Sequence, residues 1–104
     1  IEYEPAIGTI IMNNIIYANY GFSIKNFDSD ALITNNLIDI NPFFVNSSIG
    51  DFHLQKTSPA INAGSSINAP NFDYDGNVRP QGSRYDIGAY EYIGCKLLNS
   101  SITI

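Results

Sequence analysis

The sequence predicts an all-β fold of the solenoid type, in which short strands stack in successive coils. The first half repeats itself at an offset of 22 residues, and its apolar runs are short, β-branched and without a helical period. The second half alternates strand-like runs with clusters of turn-forming residues. With 104 residues and 44% apolar content, the chain has the composition of one small folded domain.

The repeat is visible when residues 8–29 are laid over residues 30–51. Six positions are identical: Ile11 and Ile33, Asn13 and Asn35, Asn14 and Asn36, Ile16 and Ile38, Asn19 and Asn41, and Phe22 and Phe44. Asparagine tolerates positive φ and bonds locally, so the Asn-Asn pairs are expected at corners between strands, where their amides can form a hydrogen-bonded ladder. The alternative is that these asparagines form a polar row that binds sugar hydroxyls.

The second half opens with a strand and a turn. Residues 51–55 alternate in polarity, which predicts a strand that buries Phe52 and Leu54 on one face. Residues 58–65, SPAINAGS, place a proline and a glycine around a small apolar center. This pattern favours a turn or one short helical turn over a continuing strand.

A tight reversal and a further strand are expected next. Residues 71–82 are rich in turn formers, and the Asp-Gly-Asn sequence at 75–77 supplies residues that accept positive φ. Residues 86–92, DIGAYEY, alternate again, which places Ile87 and Ala89 inward.

Residues 51–92, DFHLQKTSPAINAGSSINAPNFDYDGNVRPQGSRYDIGAYEY, resemble a segment that closes the C-terminal end of right-handed parallel β-helix proteins related to pectate and chondroitin lyases. The resemblance implies that residues 1–50 are the last two or three coils of a right-handed parallel β-helix, that residues 51–92 cap it, and that residues 93–104 are a tail or linker. The family commonly has aspartate where this chain has Asn62, which removes a charge.

A cap of this kind has a physical purpose, because the last coil of a solenoid presents unpaired strand edges and an open apolar core. The side chains expected to form the cover are Phe52, Leu54, Ile61, Phe72, Ile87 and Tyr90. We therefore expect the chain to be a piece of a longer protein whose upstream β-helix coils are required for its packing.

Charge and composition exclude several classes of function. The formal net charge is −5, and the five cations are scattered: Lys25, Lys56, Arg79, Arg84 and Lys96. Without a basic stripe, binding to nucleic acid is not expected. No apolar run is long enough for a transmembrane segment. The single cysteine, Cys95, can form no internal disulfide and has no metal-ligating neighbours in sequence.

One segment has the composition of a calcium loop, with alternating oxygen-bearing side chains before a glycine. The candidate metal ligands are Asp73, Asp75 and Asn77, with Asp86 as a fourth. The loop is not an EF-hand, because Arg84 stands where a bidentate glutamate is required. The competing interpretation is a turn stabilised by its own side-chain bonds and by an aspartate paired with Arg79 or Arg84. No other cofactor is predicted.

No catalytic residue is predicted. His53 is the only histidine, and nothing beside it in sequence resembles a nucleophile motif, so a packed or surface role is expected. The seven tyrosines and six phenylalanines could offer a platform for sugar rings, although aromatic side chains at alternating positions more often form a core.

The expected function follows from the resemblance. It implies the non-catalytic terminal part of a secreted or cell-surface protein that binds or acts on polysaccharide. Two alternatives stay open at this point. The parent is a polysaccharide lyase or glycoside hydrolase with its active site on upstream coils, or it is an adhesin or surface-layer protein in which the chain is a spacer.

Overall fold

A computed structural model of the chain describes residues 8–18 and 31–94. The elements are β1 (Ile10–Met12), β2 (Ile15–Ile16), β3 (Leu32–Thr34), β4 (Leu37–Ile38), β5 (Phe44–Asn46), a 3₁₀ turn (Ser47–Ile49) and β6 (Asp51–Leu54). No α-helix occurs in these two ranges, and none of their segments is a helix that could cross a membrane. Asn19, Phe22, Lys25, Cys95 and Lys96 lie outside the described residues. The domain boundaries after residues 50 and 92 stay a prediction.

The first four strands form two parallel pairs. β1 pairs with β3, so that Ile11 lies opposite Ile33. β2 pairs with β4, so that Ile16 lies opposite Ile38. The register of both pairs equals the 22-residue offset of the sequence repeat.

Asparagines form the corners between the paired strands, as the sequence predicts. Asn13 and Asn35 have φ values of 62° and 55°, in the left-handed region that asparagine tolerates. Asn14 donates from Nδ2 to Asn36 Oδ1 at 3.1 Å, and its backbone N–H donates to the same oxygen at 3.0 Å. Asn36 Nδ2 donates in turn to the Ile11 carbonyl at 3.0 Å, so the corner amides hold the two strand pairs together.

The prediction of a right-handed parallel β-helix is nevertheless wrong for the described residues. The strands form three separate two-stranded sheets, and the parallel pairs are only three and two residues long. The third pair is an antiparallel hairpin, in which β5 Phe44 lies opposite β6 Leu54. Among the described strands, the parallel order ends before β5, and Gly50, at φ 81°, reverses the chain after the 3₁₀ turn so that β6 runs antiparallel to β5.

The apolar core draws on four separate segments of the chain. Its buried members are Leu37, Leu54, Ala60 and Ile87. Leu54 and Ile87 are therefore buried as the sequence predicts, but Phe52 and Ala89 are exposed. Phe52 instead contacts Phe44 across the hairpin, ring edge to ring face, with centroids 5.1 Å apart.

The expected strand at residues 86–92 does not form. The backbone hydrogen bonds of this segment explain why, because their partners lie in three separate parts of the structure: Ile87 N donates to the Ala60 carbonyl, Gly88 N donates to the Asn13 carbonyl, and the Ala89 carbonyl accepts from Tyr74 N. No single neighbouring strand supplies these partners, so the segment is an extended loop that crosses the core. Gly88 is required there, since its φ is 102° and a Cβ would lie 2.7 Å from Ile15 Cδ1.

The core predicts a large difference between two isoleucines. Ile87→Ala removes a side chain that is 3% exposed, and we expect it to lower the free energy of unfolding by about 3 kcal/mol. Ile49→Ala truncates a side chain that is 75% exposed and should change it by less than about 0.5 kcal/mol. Urea unfolding of both variants measures the difference, and equal losses would contradict the core described above.

Candidate functional site

A buried ion pair lies at the center of the loop-rich half. Arg79 Nη1 donates to Glu91 Oε2 at 3.0 Å, and the two side chains are 8% and 0% exposed. Arg79 also donates to the carbonyls of Asp86 and Gly88, at 3.2 and 3.1 Å. The guanidinium group thus joins three loop positions at once. The sequence-based pairing of Arg79 with an aspartate is wrong, because Glu91 is the partner.

Two carboxylates in this region accept backbone N–H groups. Glu91 Oε2 accepts the N–H of Asp86 at 2.8 Å, and Glu91 Oε1 accepts that of Gln81 at 3.2 Å. Asp86 accepts the N–H groups of Asn62 and Tyr92, at 2.8 and 2.6 Å. Burial raises the pKa of Glu91, while these N–H donors and Arg79 favour its ionised form. The two acidic side chains therefore replace a strand ladder as hydrogen-bond acceptors.

Asp73 organises the predicted calcium loop as a turn. Its Oδ1 accepts the N–H groups of Asp75 and Asn77, at 3.0 and 2.8 Å, and its Oδ2 accepts that of Glu91 at 2.9 Å. Burial opposes ionisation of Asp73, but the donors from Glu91, Asn77 and Asp75 outweigh it and lower the pKa of Asp73. These are the side-chain bonds that the competing turn interpretation requires.

The other candidate ligands are directed to different partners. Asp75 Oδ2 lies 2.6 Å from His53 Nε2, while Asn77 Nδ2 lies 3.3 Å from Asp73 Oδ2. Asp86 takes its place in the buried network instead. No group of three or more His, Cys, Asp or Glu side chains that could hold a metal ion occurs in residues 8–18 and 31–94. Calcium binding through Asp73, Asp75 and Asn77 stays a prediction.

His53 joins strand β6 to this turn. Its Nδ1 lies 2.6 Å from Asp51 Oδ1, its Nε2 lies 2.6 Å from Asp75 Oδ2, and its ring stacks on Tyr90 with centroids 3.9 Å apart. Hydrogen bonding to Asp75, and then to Asp51, raises the pKa of His53. The bond to His53 lowers the pKa of Asp51. We name Asp51, His53 and Asp75 the histidine clamp.

A wide cavity of about 1100 Å³ lies beside the histidine clamp. Its aromatic lining is formed by Tyr17, Phe43, Phe44, Phe52, Tyr74 and Tyr90. Side-chain amides add polar groups, from Asn13, Asn14, Asn41 and Gln55. The cavity therefore combines ring faces and edges with neutral hydrogen-bonding groups, on the same side of the molecule as the corner asparagines. We name it the aromatic cavity.

In two of these amides, one polar atom is hydrogen-bonded to the backbone and the other is not bonded to the described residues. Asn41 Oδ1 accepts the N–H of Phe43 at 2.9 Å, and Gln55 Nε2 donates to the Phe44 carbonyl at 2.9 Å. Asn41 Nδ2 and Gln55 Oε1 make no hydrogen bond to the part of the chain that the structure describes. The residues that line the cavity thus include one amide donor and one amide acceptor that are not bonded to the described residues.

Neither the histidine clamp nor the Arg79–Glu91 pair was predicted from the sequence. A usable signal was present, because Asp86 and Glu91 flank an apolar run whose other members suit a core, and an acidic residue in such a run needs a buried partner. The clamp left no comparable signal, since Asp75 lies 22 residues from His53.

Comparison of the chain with known protein families, with curated protein sequences and with solved structures finds no match.

The histidine clamp predicts a pH-dependent stability. Because the pKa of His53 is raised above its ordinary value of 6.5, its stabilising contribution is complete below that value and is lost as pH rises through the pKa of the folded state. His53→Gln should therefore lower the free energy of unfolding more at about pH 5 than at about pH 9. On the acid side, the contribution of Asp51 is lost as pH falls through its lowered pKa.

Urea unfolding across this pH range measures the effect, and Asp75→Asn supplies the control. Asp75→Asn removes the partner that raises the pKa of His53 most. In the Asp75→Asn background, the loss in free energy of unfolding caused by His53→Gln should therefore differ less between the two pH values. A His53→Gln loss that is the same at both pH values would contradict the clamp.

The buried ion pair predicts a second effect on stability. Arg79→Met leaves the Glu91 carboxylate buried without its cation, and we expect a loss of about 3–5 kcal/mol. Lys56→Met removes the same charge from an exposed position and should cost less than about 0.5 kcal/mol. Thermal and urea unfolding compare the two variants, and similar losses would show that net charge, and not the buried pair, is responsible.

Proposed function

We propose that the chain is a non-catalytic, polysaccharide-binding part of a secreted or cell-surface protein, and that the aromatic cavity is its binding site. The observation that carries the proposal is the composition of the cavity wall, which contains six aromatic side chains together with side-chain amides. Sugar rings present apolar C–H faces and hydroxyl edges, so a site for them needs both kinds of group.

The aromatic side chains supply the apolar contacts. Tyr74 and Phe52 are exposed although their aromatic rings are large and apolar. Exposed apolar rings that lie together are a feature of interaction sites. Tyr74 meets Tyr90 edge to face, with centroids 5.8 Å apart, and Phe52 meets Phe44 in the same way. Each exposed ring thus contacts a second ring that also lines the cavity, and this contact restricts its position before a ligand arrives.

The amides supply orientation. Asn41 Nδ2 can donate to a hydroxyl oxygen, and Gln55 Oε1 can accept a hydroxyl proton. Both are held by a bond on the other atom of the same amide, so little side-chain freedom remains to be lost on binding. The size of the cavity, about 1100 Å³, exceeds the roughly 300–1,000 Å³ of small-ligand sites, which suits an oligosaccharide stretch of a longer chain.

The hydrogen bonds of His53 support the proposal that the chain is non-catalytic. Both of its ring nitrogens are taken by carboxylates, so neither is directed at a nucleophile or a substrate atom. The other acidic side chains close by, Asp73 and Glu91, are buried and occupied by backbone N–H groups. The location outside the cell is supported by the resemblance of residues 51–92 to segments of secreted and surface-anchored proteins.

Affinity electrophoresis of the chain through gels that contain soluble polysaccharides tests the proposal. Phe52→Ala removes a ring that lines the cavity and should weaken binding about five- to ten-fold, since one aromatic contact contributes about 1 kcal/mol. Phe72→Ala is the matched control, because Phe72 is 56% exposed against 46% for Phe52 but does not line the cavity.

Thermal unfolding of each variant separates loss of fold from loss of binding. If no polysaccharide retards the unaltered chain, or if both phenylalanine variants weaken binding equally, the cavity is not a polysaccharide site.

A further inference from the structure

We infer that the aromatic cavity selects uncharged polysaccharide chains and discriminates against chains that carry uronate carboxylates. The inference deepens the proposed function and rests on it. It follows from the charges in and around the cavity.

The described residues supply no counter-charge for a uronate at the cavity wall. Within residues 8–18 and 31–94, every side chain that lines the cavity is neutral. A carboxylate that enters a site of this kind gives up part of its hydration, and it regains stability only from a cation or from several N–H donors. Asn41 Nδ2 and the hydroxyl groups of the lining Ser47 and tyrosine side chains are neutral donors, which compensate the desolvation of a carboxylate less than a cation does.

Two carboxylates lie close to the cavity. Asp51 and Asp75 both bind His53, whose ring stacks on the lining residue Tyr90 with centroids 3.9 Å apart. Charges this close lie within the screening length of about 10 Å at moderate ionic strength. When His53 is protonated, the histidine clamp still carries one net negative charge, and it carries two when His53 is neutral.

The negative field reaches the cavity wall. Tyr90 lines the cavity and stacks on His53. Burial raises the pKa of Tyr90, and the carboxylates of Asp75, Asp51 and Asp73 raise it further, because they oppose a second negative charge at the phenol. A uronate beside Tyr90 would meet the same repulsion.

The cations of the described residues do not offset this field. Arg79 is held by Glu91 and by backbone carbonyls in the interior, and Arg84 donates from Nη2 to the Gly64 carbonyl. Lys56 is exposed and does not line the cavity. Neutral hexose or pentose chains avoid the repulsion, yet still offer ring faces to the aromatic side chains and hydroxyl groups to the amides.

Titration calorimetry of the full chain with oligosaccharides of equal length tests the inference. The probes are neutral xylo- and gluco-oligosaccharides on one side and oligogalacturonate on the other, at low ionic strength and neutral pH. We expect the neutral probes to bind at least about ten-fold more tightly, and we expect added salt to narrow the difference.

A matched pair of charge variants sharpens the test. Ser47→Lys places a cation on the cavity wall and should strengthen binding of oligogalacturonate several-fold, with little effect on the neutral probes. Ser83→Lys adds the same charge at an exposed position that does not line the cavity, and it should leave both affinities unchanged.

The outcomes separate the inference from the proposed function. Oligogalacturonate binding as tightly as the neutral probes, or an equal effect of the two lysine variants, overturns charge selection and leaves polysaccharide binding in place. If neither class of probe binds, polysaccharide binding itself is wrong, and charge selection falls with it.

Discussion

The loop-rich half of this chain depends on satisfying buried backbone N–H groups without a strand ladder. Glu91 and Asp86 each accept two such groups, and Asp73 accepts three. Arg79 balances the charge of Glu91 from within the same loops. Each carboxylate accepts hydrogen bonds through both of its oxygens and so connects segments that are distant in sequence. Three-dimensional order in residues 55–94 therefore depends on charge and hydrogen bonding as much as on apolar contacts.

The aromatic cavity is built on the antiparallel hairpin of β5 and β6, in which the chain reverses at the 3₁₀ turn and Gly50. The hairpin places the exposed ring of Phe52 against Phe44, and His53 on the same strand stacks on Tyr90. The turn organised by Asp73 then adds Tyr74 to the opposite side. The cavity is thus assembled from a hairpin and a turn, each stabilised by its own local bonds, and joined by the histidine clamp.

Local features and the pairing of neighbouring repeats could be predicted from the sequence. The φ values of Asn13 and Asn35 and the 22-residue register both follow from residue types that repeat in order. The predicted architecture was wrong, because the chain reverses near Gly50 although the sequence repeat continues as far as Asp51. The acidic residues of the run at 86–92 signal that a buried partner is needed, but the sequence does not pair Arg79 with Glu91 in particular. The spacing of Arg79, Asp86 and Glu91 in the sequence does not specify which of them are in contact. Whether Arg79 pairs with Asp73 or with Glu91 depends on how the loops pack.

The histidine clamp has a consequence that concerns tautomers. A protonated imidazole donates to both Asp51 and Asp75, whereas a neutral ring has one N–H and must direct a lone pair at the other carboxylate. Loss of one proton from His53 therefore replaces a symmetric bridge by two alternative tautomers. In one, His53 keeps its bond within strand β6. In the other, it keeps its bond to the turn that carries Tyr74. Tyr90 stacks on the same ring, so the two tautomers differ in the arrangement of the cavity wall. A ligand that fits one arrangement better would shift the equilibrium toward the corresponding tautomer.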